Sequence, residues 1–204
     1  MISSTIKRLN DRRDSAEGTG EDAGFTLIEL MVVLLILAIL LAIAIPTFLG
    51  VTKSANDRAA QSNLNTALVN AKSIFQQNSQ SYLLATNTTN TTPVAAMSAS
   101  LASAEPNLSF AIAAVTSGAA NATVSVAVDT TGNGIALAES AKGTGNCWYV
   151  IDNSGASTWA AGNTATTSVG TWYGESKGAS TCSAAAVPAA GTGISFQQSS
   201  FPNL

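Results

Sequence analysis

Gly24-Phe25-Thr26-Leu27-Ile28-Glu29 runs directly into sixteen apolar residues, Leu30 to Ile45. One carboxylate stands at the head of a run long enough to cross a membrane. Left unpaired inside a bilayer, such a charge costs roughly 2.5–3.5 kcal/mol, so it points to a function and calls for a partner. The intact chain offers no evident cation for Glu29. As a helix, Phe25 to Leu49 would be about 37 Å long, enough for a hydrocarbon core of roughly 30 Å.

The helical pattern continues past the apolar run. From Leu64 the apolar residues Leu64, Ala67, Leu68, Ala71, Ile74 and Phe75 recur on one face, with Lys53, Asn56, Arg58, Asn65, Asn70 and Lys72 on other sides. One helix over 25–77 is expected, apolar all round in its first half and amphipathic in its second. The second half therefore needs a folded unit to lie on. Pro46 removes one helical hydrogen bond and Gly50 adds a second weak point, so a kink is expected there.

Upstream, residues 1–24 mix Lys7, Arg8, Arg12 and Arg13 with Asp11, Asp14, Glu17, Glu21 and Asp22, and show no apolar face. They read as a leader rather than part of a fold. In an ordinary secretory signal the small-residue cleavage site follows the apolar region. Here the small pair Ala23-Gly24 precedes it. The basic residues before the span place the N-terminus in the cytoplasm and the rest outside.

Downstream, residues 78–204 read as an extracellular β-rich domain. The segment 78–108 is expected to be loop. Ala122–Asp129 alternates as a strand, Thr130–Gly134 turns, and Ile135–Ser140 returns as a hairpin partner. Cys147–Ile151 is a third strand, with a fourth expected around Ser157–Ala160. Leu108–Val115 reads equally as strand or short helix, and the last forty residues read as mostly irregular.

Composition excludes several chemistries. The chain has 204 residues, a net charge of −3 and no histidine. Nucleophile–histidine catalysis and His-ligated metal sites are therefore ruled out. With no basic block, nucleic acid is not expected as a partner. Cys147 and Cys182 lack CxxC spacing and are expected to form one disulfide in an oxidising compartment, the alternative being two buried free thiols. Asp129-Thr-Thr-Gly-Asn-Gly134 weakly echoes a calcium loop but lacks its further carboxylates, so a hairpin turn is preferred. Asn87, Asn90 and Asn121 head sequons of the kind that arise by chance in Asn/Ser/Thr-rich sequence. Trp148, Tyr149, Trp159, Trp172 and Tyr173 are read as core or subunit-contact residues before a sugar-binding surface. No enzyme, metal or cofactor is expected.

The motif of glycine, aromatic, Thr-Leu, glutamate fifth after the glycine, an apolar run, and a proline twenty-one residues after Phe25 resembles the N-terminus of type IV pilins and pseudopilins. The resemblance covers Gly24 to about Phe75. It implies an α+β fold, with the long helix on a small antiparallel sheet. It implies cleavage after Gly24 by a membrane prepilin peptidase that also methylates Phe25. The new α-ammonium of Phe25, pKa about 7.7–8.0, would supply the cation for Glu29 of a neighbouring subunit and so set register. Cys147 and Cys182 would bound a C-terminal region, 147–182. Implied partners are other copies of the chain, an assembly ATPase and a platform membrane protein, with the inner membrane as host before assembly. Two rivals remain at this stage. One is a pseudopilin of a type II secretion or DNA-uptake system. The other is a minor pilin or adhesin recognising a surface or glycan.

Overall fold

The apolar run and the amphipathic stretch after it form one α-helix, α1, Leu27–Gln77. It continues through both Pro46 and Gly50. Beside the proline, the Thr47 hydroxyl donates to the carbonyls of Ile43 (3.0 Å) and Ala44 (2.9 Å). The computed structural model describes residues 24–116, 122–157, 168–187 and 194–202. The chain divides into two units between Thr47 and Phe48. The expected leader lies almost wholly outside the described residues.

In the first unit, no described side chain of α1 is buried; Phe25 is 81% and Leu34 64% exposed. The second unit begins with the remaining turns of α1. Ala60, Leu64, Ala67, Leu68, Ala71 and Phe75 are buried there against a six-stranded sheet. Three of those six are alanines, which let the helix axis approach the sheet closely. The segment expected to be loop contains a second helix, α2, Pro93–Ala104. Thr92 caps it, its hydroxyl accepting from the Ala95 amide at 3.3 Å, and Pro93 occupies its first turn. Met97 and Leu101 carry its face into the same core.

The strands are β1 Ser109–Ala111, β2 Val115–Thr116, β3 Thr123–Val128, β4 Gly134–Ser140, β5 Cys147–Asn153, β6 Gly170–Ser176, β7 Thr181–Cys182 and β8 Ile194–Gln197. The large sheet has the order β1-β3-β4-β5-β6-β8. Only β1 and β3 pair in parallel; the other neighbours are antiparallel. β2 and β7 make a separate antiparallel pair. The architecture is thus α+β with a long N-terminal helix and an antiparallel-rich sheet.

Two sequence-based expectations need correcting. The strand beside β5 is β6, Gly170–Ser176, not one around Ser157–Ala160; of that span only Ser157 is described. The C-terminal residues expected to be irregular supply β6, β7 and β8. Their sequence hides this because Gly174 sits in a strand, where its bare Cα faces the ring of Phe196. A Cβ there would lie 2.5 Å from a ring carbon. Glycine in β6 therefore makes room for an aromatic on β8.

Both faces of the sheet are covered, and β4 and β5 are buried at every position. Alternation sends Ile135, Leu137, Trp148 and Val150 toward the helices. Ala136, Ala138, Tyr149 and Ile151 face a second core cluster, with Ile194 of β8 beside them and Cys182 and Ala184 packed over them. Cys147 and Cys182 are joined in a disulfide with Cα atoms 5.5 Å apart, tying β7 to β5. Burial pushes the Tyr149 phenol up to about 12.

Carboxylates punctuate the helix-facing side. Asp57 of α1 is buried, and its Oδ1 accepts from Trp148 Nε1 (2.9 Å), Asn146 Nδ2 (3.1 Å) and Thr144 Oγ1 (3.3 Å). Asp152 accepts from Tyr82 (2.6 Å) and pairs with Lys72 at 2.9 Å. Glu139 accepts from Asn63 Nδ2 at 2.9 Å through Oε1, while its buried Oε2 has no hydrogen-bond partner among the described residues. Desolvation outweighs the Asn63 bond and pushes its carboxyl up to about 7. Glu175 is also raised, first by burial, with the Lys177 charge opposing.

The raised folded value of Glu139 sets a pH dependence. Between about 4.5 and 7 the unfolded chain loses this proton while the folded chain keeps it, so stability falls as pH rises. The loss should level off above pH 7 at about 3 kcal/mol. Glu139→Gln is expected to flatten the melting temperature across this window. An unchanged profile would assign the dependence elsewhere.

Candidate assembly segment

The described chain opens at Gly24, and α1 starts three residues later. Thr26 stands at the N-cap and Glu29 at the third helical position. The Glu29 carboxylate accepts from the Thr26 amide (2.8 Å) and the Thr26 hydroxyl (2.8 Å) through Oε2. The Thr26 hydroxyl in turn accepts from the Glu29 amide at 3.3 Å. This is a capping box, in which two otherwise unpaired amides at the helix start are satisfied reciprocally. A negative charge in the first turn also suits the positive end of the helix dipole.

Glu29 therefore has a local partner that the sequence reading did not find. The sequence already held the clue, since Thr26-Leu27-Ile28-Glu29 has the S/T-x-x-E spacing. None of these bonds uses Oε1, and Glu29 is exposed, so the carboxylate retains an oxygen for an outside cation. Phe25 lies next to the cap, and a Cβ added at Gly24 would meet nothing within 4 Å. Among the described residues, nothing crowds the peptide between these two.

Past the box, Ile28, Leu30, Val32 and Val33 border a shallow apolar groove with Phe25 and Glu29. A helix dressed this way on all sides has no place in water. It is long and apolar enough to cross a membrane.

A model of the prokaryotic N-terminal methylation motif matches residues 21–45. Gly24, Phe25 and Glu29 all fall within the matched motif. The chain is also 40% identical over 89 residues to the type IV wide pilus major component PilA4 of Thermus thermophilus. That match covers 44% of this chain and 62% of the relative, less than two thirds of the latter's length. No solved structure matches the chain significantly. The prepilin-type segment thus coincides with the capped, exposed start of α1, and it supports anchoring in a membrane.

The other sequence candidates fall elsewhere. Pro46 and Gly50 lie within continuous helix. Trp148 and Tyr149 are buried in the core, and Trp172 and Tyr173 pack partly buried against it. Trp159 and Asn121 lie outside the described residues. In the would-be calcium loop, Asp129 is buried and its carboxylate accepts from the amide and hydroxyl of Thr131. Gly132 adopts a φ of 78° in the same hairpin turn.

Proposed function

We propose that this chain is a structural subunit of a type IV pilus, a filament-forming protein without catalytic machinery. The observation that carries this reading is the capped start, matching the N-terminal methylation motif, of a helix whose apolar side chains no described residue covers. A bilayer covers them before assembly, and copies of the same helix cover them afterwards. Residues 1–24 act as a leader cut after Gly24 by a prepilin peptidase, which then methylates Phe25. The N-terminus faces the cytoplasm and the domain over 78–204 faces outward. In the filament, the α-ammonium of Phe25 pairs with Glu29 of a neighbouring subunit. A wrong axial register would leave both charges unpaired among apolar side chains, so the pair selects register.

An assembly ATPase and a platform membrane protein supply the work of extrusion. The turns before Pro46, roughly 38–45, are where α1 would yield on entering the filament. The likeness to a pilus major component favours a pilus over a secretion pseudopilin. Filaments sheared from the cell surface test this. The chain is expected as their dominant band, and its absence from them would overturn the reading.

A further inference from the structure

Beyond the leader the chain has five cations: Lys53, Arg58, Lys72, Lys142 and Lys177. Lys72 is held by Asp152. The other four lie in the unit beginning at Phe48, and three contacts bring their segments to one end of it. Asn56 Nδ2 donates to the carbonyl of Lys142 at 2.9 Å, and Thr144 Oγ1 donates to Asp57. These bonds fasten the β4–β5 turn to the first turns of α1 in this unit. The Ala179 amide donates to the carbonyl of Gly145 at 3.1 Å, which fastens the β6–β7 turn beside it. Lys53, Arg58 and Lys142 are exposed, and the Lys177 side chain is 70% exposed. Of these four, only Lys177 has a described carboxylate within ion-pair reach, Glu175 at 3.7 Å.

The anions do not match this patch. Past Leu49, the described carboxylates Asp57, Asp129, Glu139, Asp152 and Glu175 are all buried, and Glu105 is half-buried. Past Leu49, a second copy of the chain thus presents only the half-buried Glu105 among its described carboxylates to meet four cations. A surface rich in phosphodiesters does. Lys53 comes four residues after Leu49, about 6 Å along a helix from the end of the apolar run.

We propose that this end of the folded unit, through Lys53, Arg58, Lys142 and Lys177, docks on the anionic headgroups of the bilayer that holds the unassembled subunit. The proposal rests on the membrane-anchored reading of residues 25–49. Docking holds the outward domain against the surface until extraction. Interfacial cations act additively on anionic lipid and lose their effect as salt screens them.

The full chain in lipid nanodiscs tests this, read by amide hydrogen exchange at residues 141–146 and 177–180. Exchange is expected to slow by about fivefold or more in phosphatidylglycerol relative to phosphatidylcholine, since one surface cation contributes roughly that factor. High salt and the triple variant K53Q/K142Q/K177Q are each expected to abolish the difference. A chain retained in both discs with equal exchange overturns the proposal alone. A chain retained in neither overturns the membrane reading as well. Protection that follows protein density rather than lipid charge assigns the patch to a second copy. Protection reproduced by inorganic phosphate in phosphatidylcholine discs assigns it to a free anion. Either of these last two results overturns lipid docking.

Discussion

Glu29→Ala is expected to give subunits that are cleaved after Gly24 and held in the membrane but form no filaments. The alanine removes the acceptor for the Thr26 amide and the charge proposed to meet a neighbour's ammonium. Glu29→Gln separates them. Glutamine serves at this position of a capping box, so α1 keeps its start. It carries no charge, so the proposed pair between subunits would be lost. Leaving an ammonium unpaired in an apolar interior costs roughly 3 kcal/mol or more, about a hundredfold in the equilibrium between subunit and filament. Both variants should therefore fail to assemble. Normal filaments from Glu29→Gln would show that the carboxylate serves the cap alone, and register would need another source.

Asp57→Ala should have the largest effect on the folded unit. The change strands Trp148 Nε1 and Asn146 Nδ2, both of which donate to Asp57 Oδ1, and leaves space beneath α1. Trp148 is fully buried at the centre of the sheet, so no rearrangement brings its ring nitrogen to water. The expected loss is roughly 3–5 kcal/mol, which lowers the melting temperature by on the order of 10 °C in a unit of this size. Asp57→Asn keeps an acceptor oxygen and should lose clearly less. Near-ultraviolet circular dichroism, which reports the packing of Trp148, would follow both. Equal melting of Asp57→Ala and the parent would contradict the assigned role.

The long helix was legible because its two halves repeat apolar residues in ways no strand does. Asp57 was legible only in hindsight: it lies on the stripe of Ala60 and Leu64, one turn earlier. A polar residue at the end of an amphipathic pattern reads equally well as solvated. The β3–β4 hairpin was plain from its alternation and its Asn-Gly turn. β6 and β8 were not, because glycine and serine fill positions where neighbouring aromatics do the packing. Helix α2 was missed although Thr92-Pro93 is a helix start, since its alanine- and serine-rich body carries little period. The capping box was not legible as the partner of Glu29, because a charge beside an apolar run points first to a cation. The structure supplied an amide one turn back.

The most direct measurement is the intact mass and N-terminal sequence of the chain in sheared surface filaments. A chain that begins at Phe25, carries one methyl group on its α-nitrogen and retains the disulfide between Cys147 and Cys182 is expected. Filament material that still carries residues 1–24, or that begins downstream of Glu29, would contradict this expectation.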